Sequence, residues 1–166
     1  MSLTDGLLRL ELLSDPEMLG VVRSGVMRFT EVMDFSEADC RGVTRVVDEA
    51  LTNIVRHAYG GRPWQPIEMT CRRMQERTGK RQAGLEIVLV DRGTPADRKK
   101  LCGRPLDEIR PGGLGIHLIQ EGVDVMQYAT NVHRNRLRLV KYLPAAETEA
   151  KMAKGENGEN FNPPTG

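Results

Sequence analysis

The pattern of apolar and polar positions predicts strands and helices along this chain. Leu7 to Leu13 has the length and apolar content of a short strand. A helix is expected next, because Ser14 or Asp15 can cap it, Pro16 suits its first turn, and apolar residues then recur at helical spacing. The segment Ser36 to Asp39 resembles a capping box and predicts the start of a second helix.

The second predicted helix is long and ends at Gly60-Gly61. One of its faces is apolar and should pack on a core; it consists of Val43, Val46, Val47, Ala50, Leu51, Ile54, Val55 and Ala58. Glu49, Asn53 and His57 follow one another at intervals of four residues, so each lies only about 40° around the helix from the one before. This polar stripe is either a preorganised site or the solvated side of an amphipathic helix.

Strand patterns follow the glycine pair. Ile67 to Arg77 and Gly84 to Asp91 are predicted as two strands, joined by a polar turn at residues 78–80. The second is almost continuously apolar, which is typical of a central strand buried on both faces. Residues 92–113 are rich in Gly, Pro and charge, and predict a long loop of the kind that serves as a lid.

The last part of the pattern predicts a helix and a hairpin. Leu114 to Glu121 has helical spacing, and Val125 to Val132 with Leu137 to Leu143 should form a closing hairpin whose turn is His133 to Asn135. Apolar residues become scarce from Ala145 onward. We therefore expect one domain over residues 1–144 and a disordered tail over residues 145–166.

Composition limits the classes of partner. The 166 residues carry a formal net charge of +1, from 24 basic and 23 acidic side chains, which gives no reason to expect a nucleic acid or a membrane as partner. The three cysteines are odd in number and far apart, as expected for free thiols in a reducing compartment. No apolar run reaches the roughly 20 residues that span a bilayer. A cytoplasmic protein is expected.

Two polar features suggest nucleotide chemistry. Asn53 offers a neutral oxygen of the type that Mg²⁺ accepts, and Glu49, one turn earlier, could take the proton of an attacking hydroxyl. At the end of the apolar strand, the carboxylate of Asp91 could accept a hydrogen bond from an exocyclic amine such as that of adenine. Gly93 would let the base lie against the backbone. An Asp-x-Gly sequence at a strand end is also common in simple turns.

A glycine-rich helix start supplies the third feature. Gly112, Gly113, Leu114 and Gly115 open a predicted helix, so their backbone amides could converge on phosphate. Arg110 precedes them and could neutralise a γ-phosphate, or it could be a solvated loop charge. A glycine pair before a helix is also typical of a tight turn.

The order and spacing of the three features resemble the GHKL ATPase superfamily, and within it the small anti-sigma-factor serine kinases. The similar segments are Glu49 to Tyr59, Val90 to Pro95 and Arg104 to Ile119. The resemblance implies an α/β sandwich of the GHKL type, whose mixed, mostly antiparallel sheet is covered by helices on one face. It covers about residues 7 to 143.

The resemblance also implies a function. ATP and Mg²⁺ would be bound by the glycine segment together with Asn53, Asp91 and Gly93, with Asn53 as the metal ligand. Glu49 would be the base that phosphorylates a serine on an anti-anti-sigma partner of the STAS type. A homodimer would sequester a sigma factor. The alternative is a binding module in which nucleotide only sets the affinity for a partner, without kinase activity.

Two departures from the family pattern affect the predicted site. Thr94-Pro95 follows Asp-x-Gly where many members have a further glycine, which stiffens this loop. Asn135-Arg136 replaces the Gly-Thr that many relatives carry before the last strand, so no threonine contact to the nucleotide is inferred. His57 is interpreted as a hydrogen-bonded structural residue on a packed helix.

Overall fold

The structure is a computed structural model that describes residues 7–75, 82–96 and 114–144. In chain order its elements are β1 (Leu7–Leu13), α1 (Pro16–Val32), α2 (Glu37–Asn53), a π-helical turn (Ile54–Ala58), β2 (Pro66–Met74), β3 (Gly84–Asp91), α3 (Leu114–Gly122), β4 (Val125–Thr130) and β5 (Asn135–Tyr142). The predicted helices and strands of these ranges are therefore all present, with differences at their ends.

The strands form one sheet in the order β1-β2-β3-β5-β4, and every neighbouring pair is antiparallel. The central position predicted for the apolar strand β3 is confirmed. The β3–β5 register sets Asp91 opposite Asn135. Because residues directly opposite each other share a face of the sheet, this register brings the end of β3 and the start of β5 together on the side that carries the core.

The core lies between one face of the sheet and the helices. Alternate strand residues such as Ile67, Met69, Ile87 and Leu139 are buried in one cluster with the apolar face of α2. Aliphatic burial of this extent is the main favourable term in folding. The fold class inferred from the sequence, an α/β sandwich with helices on one face of a mostly antiparallel sheet, is confirmed.

The opposite face of β3 differs from the prediction of apolar burial on both sides. Val88 and Val90 are only partly buried, and Glu86 is buried beneath two guanidinium groups. Arg72 and Arg138 each donate to Glu86 at 2.6 Å. Burial opposes ionisation, but these two hydrogen bonds outweigh it and lower the pKa of Glu86. This face is held by a paired charge rather than by a second apolar layer.

The long helix also departs from its prediction, because α2 ends at Asn53 and not at the glycine pair. The next residues widen into a π-helical turn, in which the Tyr59 amide donates to the Ile54 carbonyl at 3.0 Å. Gly60 and Gly61 then have φ of 61° and 76°, a conformation that glycine adopts without strain. The polar stripe therefore keeps α-helical spacing only from Glu49 to Asn53.

The hairpin turn lies earlier than predicted. Asn131 Oδ1 accepts hydrogen bonds from the amides of His133 and Arg134, at 3.0 and 2.9 Å. These two local bonds close the turn between Thr130 and Asn135, so Asn135 is the first residue of β5 and not part of the turn. The correction moves Asn135 into the sheet, where its side chain can reach the end of β3.

Several predictions fall on residues outside the described ranges. These are the turn at 78–80, most of the lid, and the tail from 145 onward, so the disordered tail and the domain boundary stay predictions. Cys40 and Cys71 are free, as predicted, and both are buried, whereas Cys102 is outside the described ranges. Desolvation raises the pKa of the Cys71 thiol to about 12. None of the described helices is long and apolar enough to cross a membrane.

Candidate active site

The last turn of α2 presents two polar side chains beside the core. Glu49 and Asn53 are both half-buried, and neighbouring Ala50 and Leu51 fix the helix on the sheet. Among the residues that the structure describes, neither the Glu49 carboxylate nor the Asn53 amide takes part in a hydrogen bond or ion pair. Their oxygen atoms therefore remain able to contact another group.

Helix α3 approaches α2 closely at its first turn. A Cβ added to Gly115 would overlap Oε1 of Glu49, at a separation that no pair of non-bonded atoms tolerates. At the other end of α3, a Cβ on Gly122 would overlap Cγ2 of Val46. Two glycines thus let the helices lie side by side. The last residue of the predicted phosphate segment lies directly against the candidate base.

A hydrogen-bonded network holds the end of β3. Asp91 Oδ1 accepts from the Gly93 amide at 2.8 Å and from Nδ2 of Asn135 at 2.7 Å. The same Nδ2 donates to the Gly93 carbonyl at 3.0 Å, and Thr130 Oγ1 donates to Asn135 Oδ1 at 2.9 Å. Asn135 is 2% exposed, so these bonds form away from water, where they are strongest.

The two carboxylate oxygens of Asp91 differ in their hydrogen bonds. Both internal donors bind Oδ1, and within the described residues Oδ2 accepts no hydrogen bond. Burial raises the pKa of Asp91 above its ordinary value, although the bonds from Asn135 and Gly93 act in the opposite direction. The network thus orients the carboxyl group and leaves one acceptor for a ligand donor.

The loop after Asp91 is attached at several points. The Thr94 amide donates to the Ala58 carbonyl at 2.8 Å. A Cβ on Gly93 would lie 2.5 Å from that same carbonyl oxygen, so only glycine fits between the loop and the π-helical turn. Tyr59 and Tyr128 hydroxyls accept from the amides at the two ends of the loop, residues 92 and 96, each at 2.9 Å. The stiff loop expected from Thr94-Pro95 is thus fixed to its surroundings.

The predicted site residues are therefore brought to one segment, the end of α2 and the turn that follows it. Gly115 contacts Glu49, Gly93 contacts the π-helical turn, and Asn53 lies between these two contacts along the chain. Leu114 is the first residue of α3. The remaining candidates, Arg110, Gly112 and Gly113, lie outside the described residues.

His57 does not have the role predicted for it. It is exposed and, in the described part of the chain, makes no hydrogen bond. The π-helical turn explains this, because it changes the spacing after Asn53 and directs the third member of the stripe away from the packed face.

Three residues of the site were missed by the sequence analysis. The sequence placed Asn135 in a turn and Tyr128 in a strand, and Tyr59, near the end of the long helix, was interpreted as a packing residue. Tyr59 is 2% exposed, and its hydroxyl donates to the Pro66 carbonyl at 2.5 Å, so it joins three elements. The pattern did contain one signal, because Asn135 replaces the family's Gly-Thr where the last strand begins.

The fold and the arrangement of these groups define a class of protein, an α/β sandwich of the nucleotide-binding ATPase type. A family model described as the histidine kinase-like ATPase domain matches residues 12–141, and the chain belongs to this family. The resemblance predicted from the three sequence features is confirmed.

Relatives with curated names point in the same direction. The chain is similar to a serine-protein kinase RsbW of Bacillus pumilus, with 26% identity over 139 residues, 79% of this chain and 83% of the relative. It is also similar to a serine-protein kinase RsbW of Oceanobacillus iheyensis, with 28% identity over 145 residues, 82% of this chain and 85% of the relative.

A solved structure shares the fold. It is the crystal structure of the RsbU and RsbW domains of Rv1364c from Mycobacterium tuberculosis, with a TM-score of 0.56 and 13% sequence identity. The match covers 84% of this chain but only 34% of that longer chain. At this identity the similarity describes the fold alone.

Proposed function

We propose that this protein is an ATP-dependent protein-serine kinase that phosphorylates an anti-anti-sigma partner of the STAS type and sequesters a sigma factor. The observation that carries the proposal is the contact between Glu49 and Gly115, next to Asn53 and the Asp91 loop. It occurs in a chain of the histidine kinase-like ATPase family that is similar to serine-protein kinases. A cytoplasmic location and a homodimer are part of the same proposal.

The residues present fit Mg-ATP. Within the described residues Asp91 Oδ2 accepts no hydrogen bond, so it could accept one from the amine of adenine, and Gly93 lies in a cradle that a side chain would fill. Asn53 supplies a hard, neutral oxygen suited to Mg²⁺. Amides at the start of α3, including that of Gly115, supply positive potential for phosphate, and Arg110, Gly112, Gly113 and Leu114 would complete that segment. When bound, Mg²⁺ would neutralise phosphate charge.

The proposed transfer needs a base, and Glu49 is the group proposed for it because it lies beside Gly115 and one turn before Asn53. The serine oxygen would form a bond to the γ-phosphorus while the bond to the bridging β,γ-oxygen breaks, leaving ADP and phosphoserine. The hydroxyl proton would pass to the Glu49 carboxylate. Glu49 is half-buried beside Gly115 of α3, and a positioned base typically contributes about 10²- to 10⁴-fold.

Phosphate transfer to a STAS-type partner tests the activity. The purified chain is incubated with γ-labelled ATP, Mg²⁺ and the partner, and labelled phosphoserine is quantified. We expect Glu49→Gln to reduce transfer at least about 100-fold while changing ATP affinity little, because Gln keeps the shape but cannot accept the proton. The matched control is Glu37→Gln at the exposed start of α2, which should transfer phosphate normally.

The same experiment separates the two candidate functions. A parent chain that binds Mg-ATP tightly but transfers no label would refute the kinase and leave the nucleotide-dependent binding module. Sigma-factor capture with and without nucleotide would then measure the switch. Failure of the parent to bind ATP at all would refute both.

A further inference from the structure

Thr130, Asn135 and Asp91 lie in one row across three neighbouring strands. The β3–β5 register sets Asn135 opposite Asp91, and the β4–β5 register sets it opposite Thr130. Residues directly opposite each other in a sheet project to the same face, so the three side chains form a continuous line. This line ends at the carboxylate that is proposed to face the nucleotide base.

Both hydrogen atoms of the Asn135 amide group are used inside the protein. Its Nδ2 atom donates to Asp91 Oδ1 at 2.7 Å and to the Gly93 carbonyl at 3.0 Å, and its Oδ1 atom accepts from Thr130 Oγ1 at 2.9 Å. A carboxylate and a carbonyl can only accept hydrogen bonds, so only the Nδ2 side of the amide group can face them. The orientation of the Asn135 side chain is therefore defined by its partners.

Asn135 in turn restricts the Asp91 carboxylate. The Gly93 amide alone would leave the carboxyl group able to turn about its Cβ–Cγ bond, whereas a second donor from another strand holds Oδ1 from a second direction. The bond from Asn135 also lowers the pKa of Asp91, in opposition to the effect of burial, and so favours the ionised form. The result is a fixed carboxylate whose Oδ2 can only accept a hydrogen bond.

A fixed acceptor that is buried discriminates between ligands. Asp91 is 6% exposed, so a ligand that covers Oδ2 without donating to it would leave a charged oxygen without a partner, which is costly. Sites built to pair with a ligand N–H therefore reject analogues that lack it. In the proposed function the donor is the 6-amino group of adenine, and an otherwise identical purine without that group would be rejected.

We propose that Asn135 is a positioning residue that makes the site selective for a 6-aminopurine, and that Thr130 holds Asn135 in place. Asn135 acts through Asp91 and does not touch the base itself. The inference rests on the proposed function for the assignment of Asp91 to the nucleotide base. It goes beyond that function by assigning the selectivity to a row of side chains that begins on β4.

Calorimetric titration of the full chain with two nucleotides tests this. They are Mg-ATP and the Mg²⁺ complex of purine riboside triphosphate, which differs from ATP only in lacking the 6-amino group. We expect the parent to bind ATP about tenfold or more tightly than the analogue. Asn135→Leu keeps the shape of the side chain but removes its donors, so this ratio should fall to about threefold or less. A residue with only a structural role would weaken both nucleotides equally and leave the ratio unchanged.

Thr130 supplies a second pair of variants, which should fold because this residue is exposed. Thr130→Val removes the donor that holds and polarises the Asn135 amide group, so the ratio should fall in the same direction. Thr130→Ser keeps the hydroxyl group and should retain the parent's ratio. The matched control is Asn131→Ala in the same hairpin, because the Asn131 side chain accepts from the amides of His133 and Arg134 instead. It should also retain the parent's ratio.

A folded Asn135→Leu variant that keeps the parent's preference for ATP would overturn the inference, and so would a parent that binds the two nucleotides equally. If Asn135→Leu does not fold, the two Thr130 variants decide, and a Thr130→Val variant with the parent's ratio overturns the inference. Each of these results leaves nucleotide binding, and with it the proposed kinase, standing. A parent that binds neither nucleotide refutes the proposed function, and the inference with it.

Discussion

Asp91 shows how one buried carboxylate can be both anchored and available. Its Oδ1 receives the Gly93 amide and the Asn135 side chain, whereas Oδ2 accepts no bond within the described residues. The cost is electrostatic, because burial disfavours the charged form and raises the pKa of Asp91. Asparagine would fit at this position without the free-energy cost of burying a carboxylate. A carboxylate kept in spite of that cost is typical of a functional group.

We predict that Asp91→Asn separates binding from stability. Asn can keep the Oδ1 bonds, but it presents an amide donor where adenine also donates, so ATP affinity should fall about 10- to 100-fold. The pKa of Asp91 is higher in the folded state than in the unfolded state. The stabilising contribution of the protonated carboxyl group is therefore lost as pH rises through the folded pKa. The variant has no ionisable group at this position, so its stability relative to that of the parent should increase with pH from about 4 upward. Calorimetry measures the ATP affinity, and urea unfolding measures the stability.

Asp48→Asn is the control for this prediction. Asp48 precedes Glu49 on α2 and pairs with Arg23 at 2.7 Å, away from the Asp91 loop. The Asp48→Asn substitution should leave ATP affinity unchanged. An Asp91→Asn variant that binds ATP like the parent would remove Asp91 from the site.

The pKa of Glu86 is shifted in the opposite direction from that of Asp91. Burial opposes its charge, but bonds from Arg138 and Arg72 prevail and lower its pKa, so its contribution to stability is present above the unfolded pKa and lost as pH falls through the folded pKa. Glu86→Gln should cost about 1 to 2 kcal/mol at pH 7, and the difference should shrink below about pH 4. Urea unfolding from pH 3 to 7 measures this.

Glu68→Gln on the neighbouring strand is the matched comparison. Its partner Arg134 is 3.8 Å away, and both side chains are about half exposed. Such a surface pair should be worth no more than about 0.5 kcal/mol at any pH. An equal effect of the two substitutions would mean that Glu86 is not stabilised by its guanidinium partners.

At the scale of single residues, the sequence identified the groups whose chemistry is local. Asp91 and Gly93 lie two residues apart, so their relation is visible in the chain. Asn135 is 44 residues from Asp91, and its role depends on the β3–β5 register, which no local pattern reports. Tyr128 reaches the Ala96 amide across 32 residues for the same reason.

Among the elements, α2 and α3 form the unit that positions the candidate base. Gly115 is needed because Glu49 occupies the space of its missing side chain. The nearest atoms belong to the far end of the Glu49 side chain, so an added methyl group would move the carboxylate rather than separate the helices. Gly115 would then be required for two reasons, which are phosphate binding and the space that the Glu49 carboxylate occupies.

We therefore predict that Gly115→Ala slows phosphate transfer by about 10-fold or more through Glu49, since a displaced base loses much of its contribution. In a Glu49→Ala background the same substitution should have little further effect on the residual rate, because the displaced group is absent. Single-turnover kinetics of the two single variants and the double variant measure the coupling.

Gly42→Ala serves as the control, because a Cβ at this position of α2 meets no atom within 4 Å. It should stabilise the protein by about 0.5 to 1 kcal/mol and leave the transfer rate unchanged. If Gly115→Ala slowed transfer equally with and without Glu49, the glycine would act on the phosphates alone.

Element boundaries were predicted less well than the elements themselves. Apolar periodicity placed α2, but the π-helical turn depends on a bond from the Tyr59 amide to the carbonyl five residues earlier, which leaves the apolar pattern almost unchanged. The hairpin turn moved because Asn131 closes it with its own side chain. Both differences arise from one or two local hydrogen bonds rather than from the distribution of apolar surface.

For the whole molecule, the order of strands explains which predictions succeeded. The almost continuous apolar run of β3 predicted a central strand, and β3 is the middle strand of the sheet, between β2 and β5. The edge position of β1 could not be inferred from its own sequence, since leucines suit edge and centre equally. Most of the segment predicted as a lid, residues 92–113, lies outside the described residues, so that part of the predicted site stays a prediction.

Nucleotide bound at the proposed site would also affect the stability of the entire fold, because the residues of that site come from α2, α3, β3 and β5. A ligand that binds only the folded state at about 100 times its Kd adds about 2.7 kcal/mol, which for this size raises Tm by about 5 to 10 °C. We predict this rise with ATP and Mg²⁺, and a smaller one when Mg²⁺ is chelated. Differential scanning calorimetry measures both.

Asn53→Ala should abolish most of that rise while leaving the Tm without nucleotide nearly unchanged, since within the described residues the Asn53 side chain makes no hydrogen bond that the fold would lose. Asn131→Ala should behave in the reverse way, because it removes the two bonds that close the hairpin turn, whereas the Asn131 side chain makes no bond to Asp91 or Gly93 among the described residues. It should lower Tm and retain the nucleotide-dependent rise. If Asn53→Ala kept the parent's rise with Mg-ATP, Asn53 would not be the metal ligand.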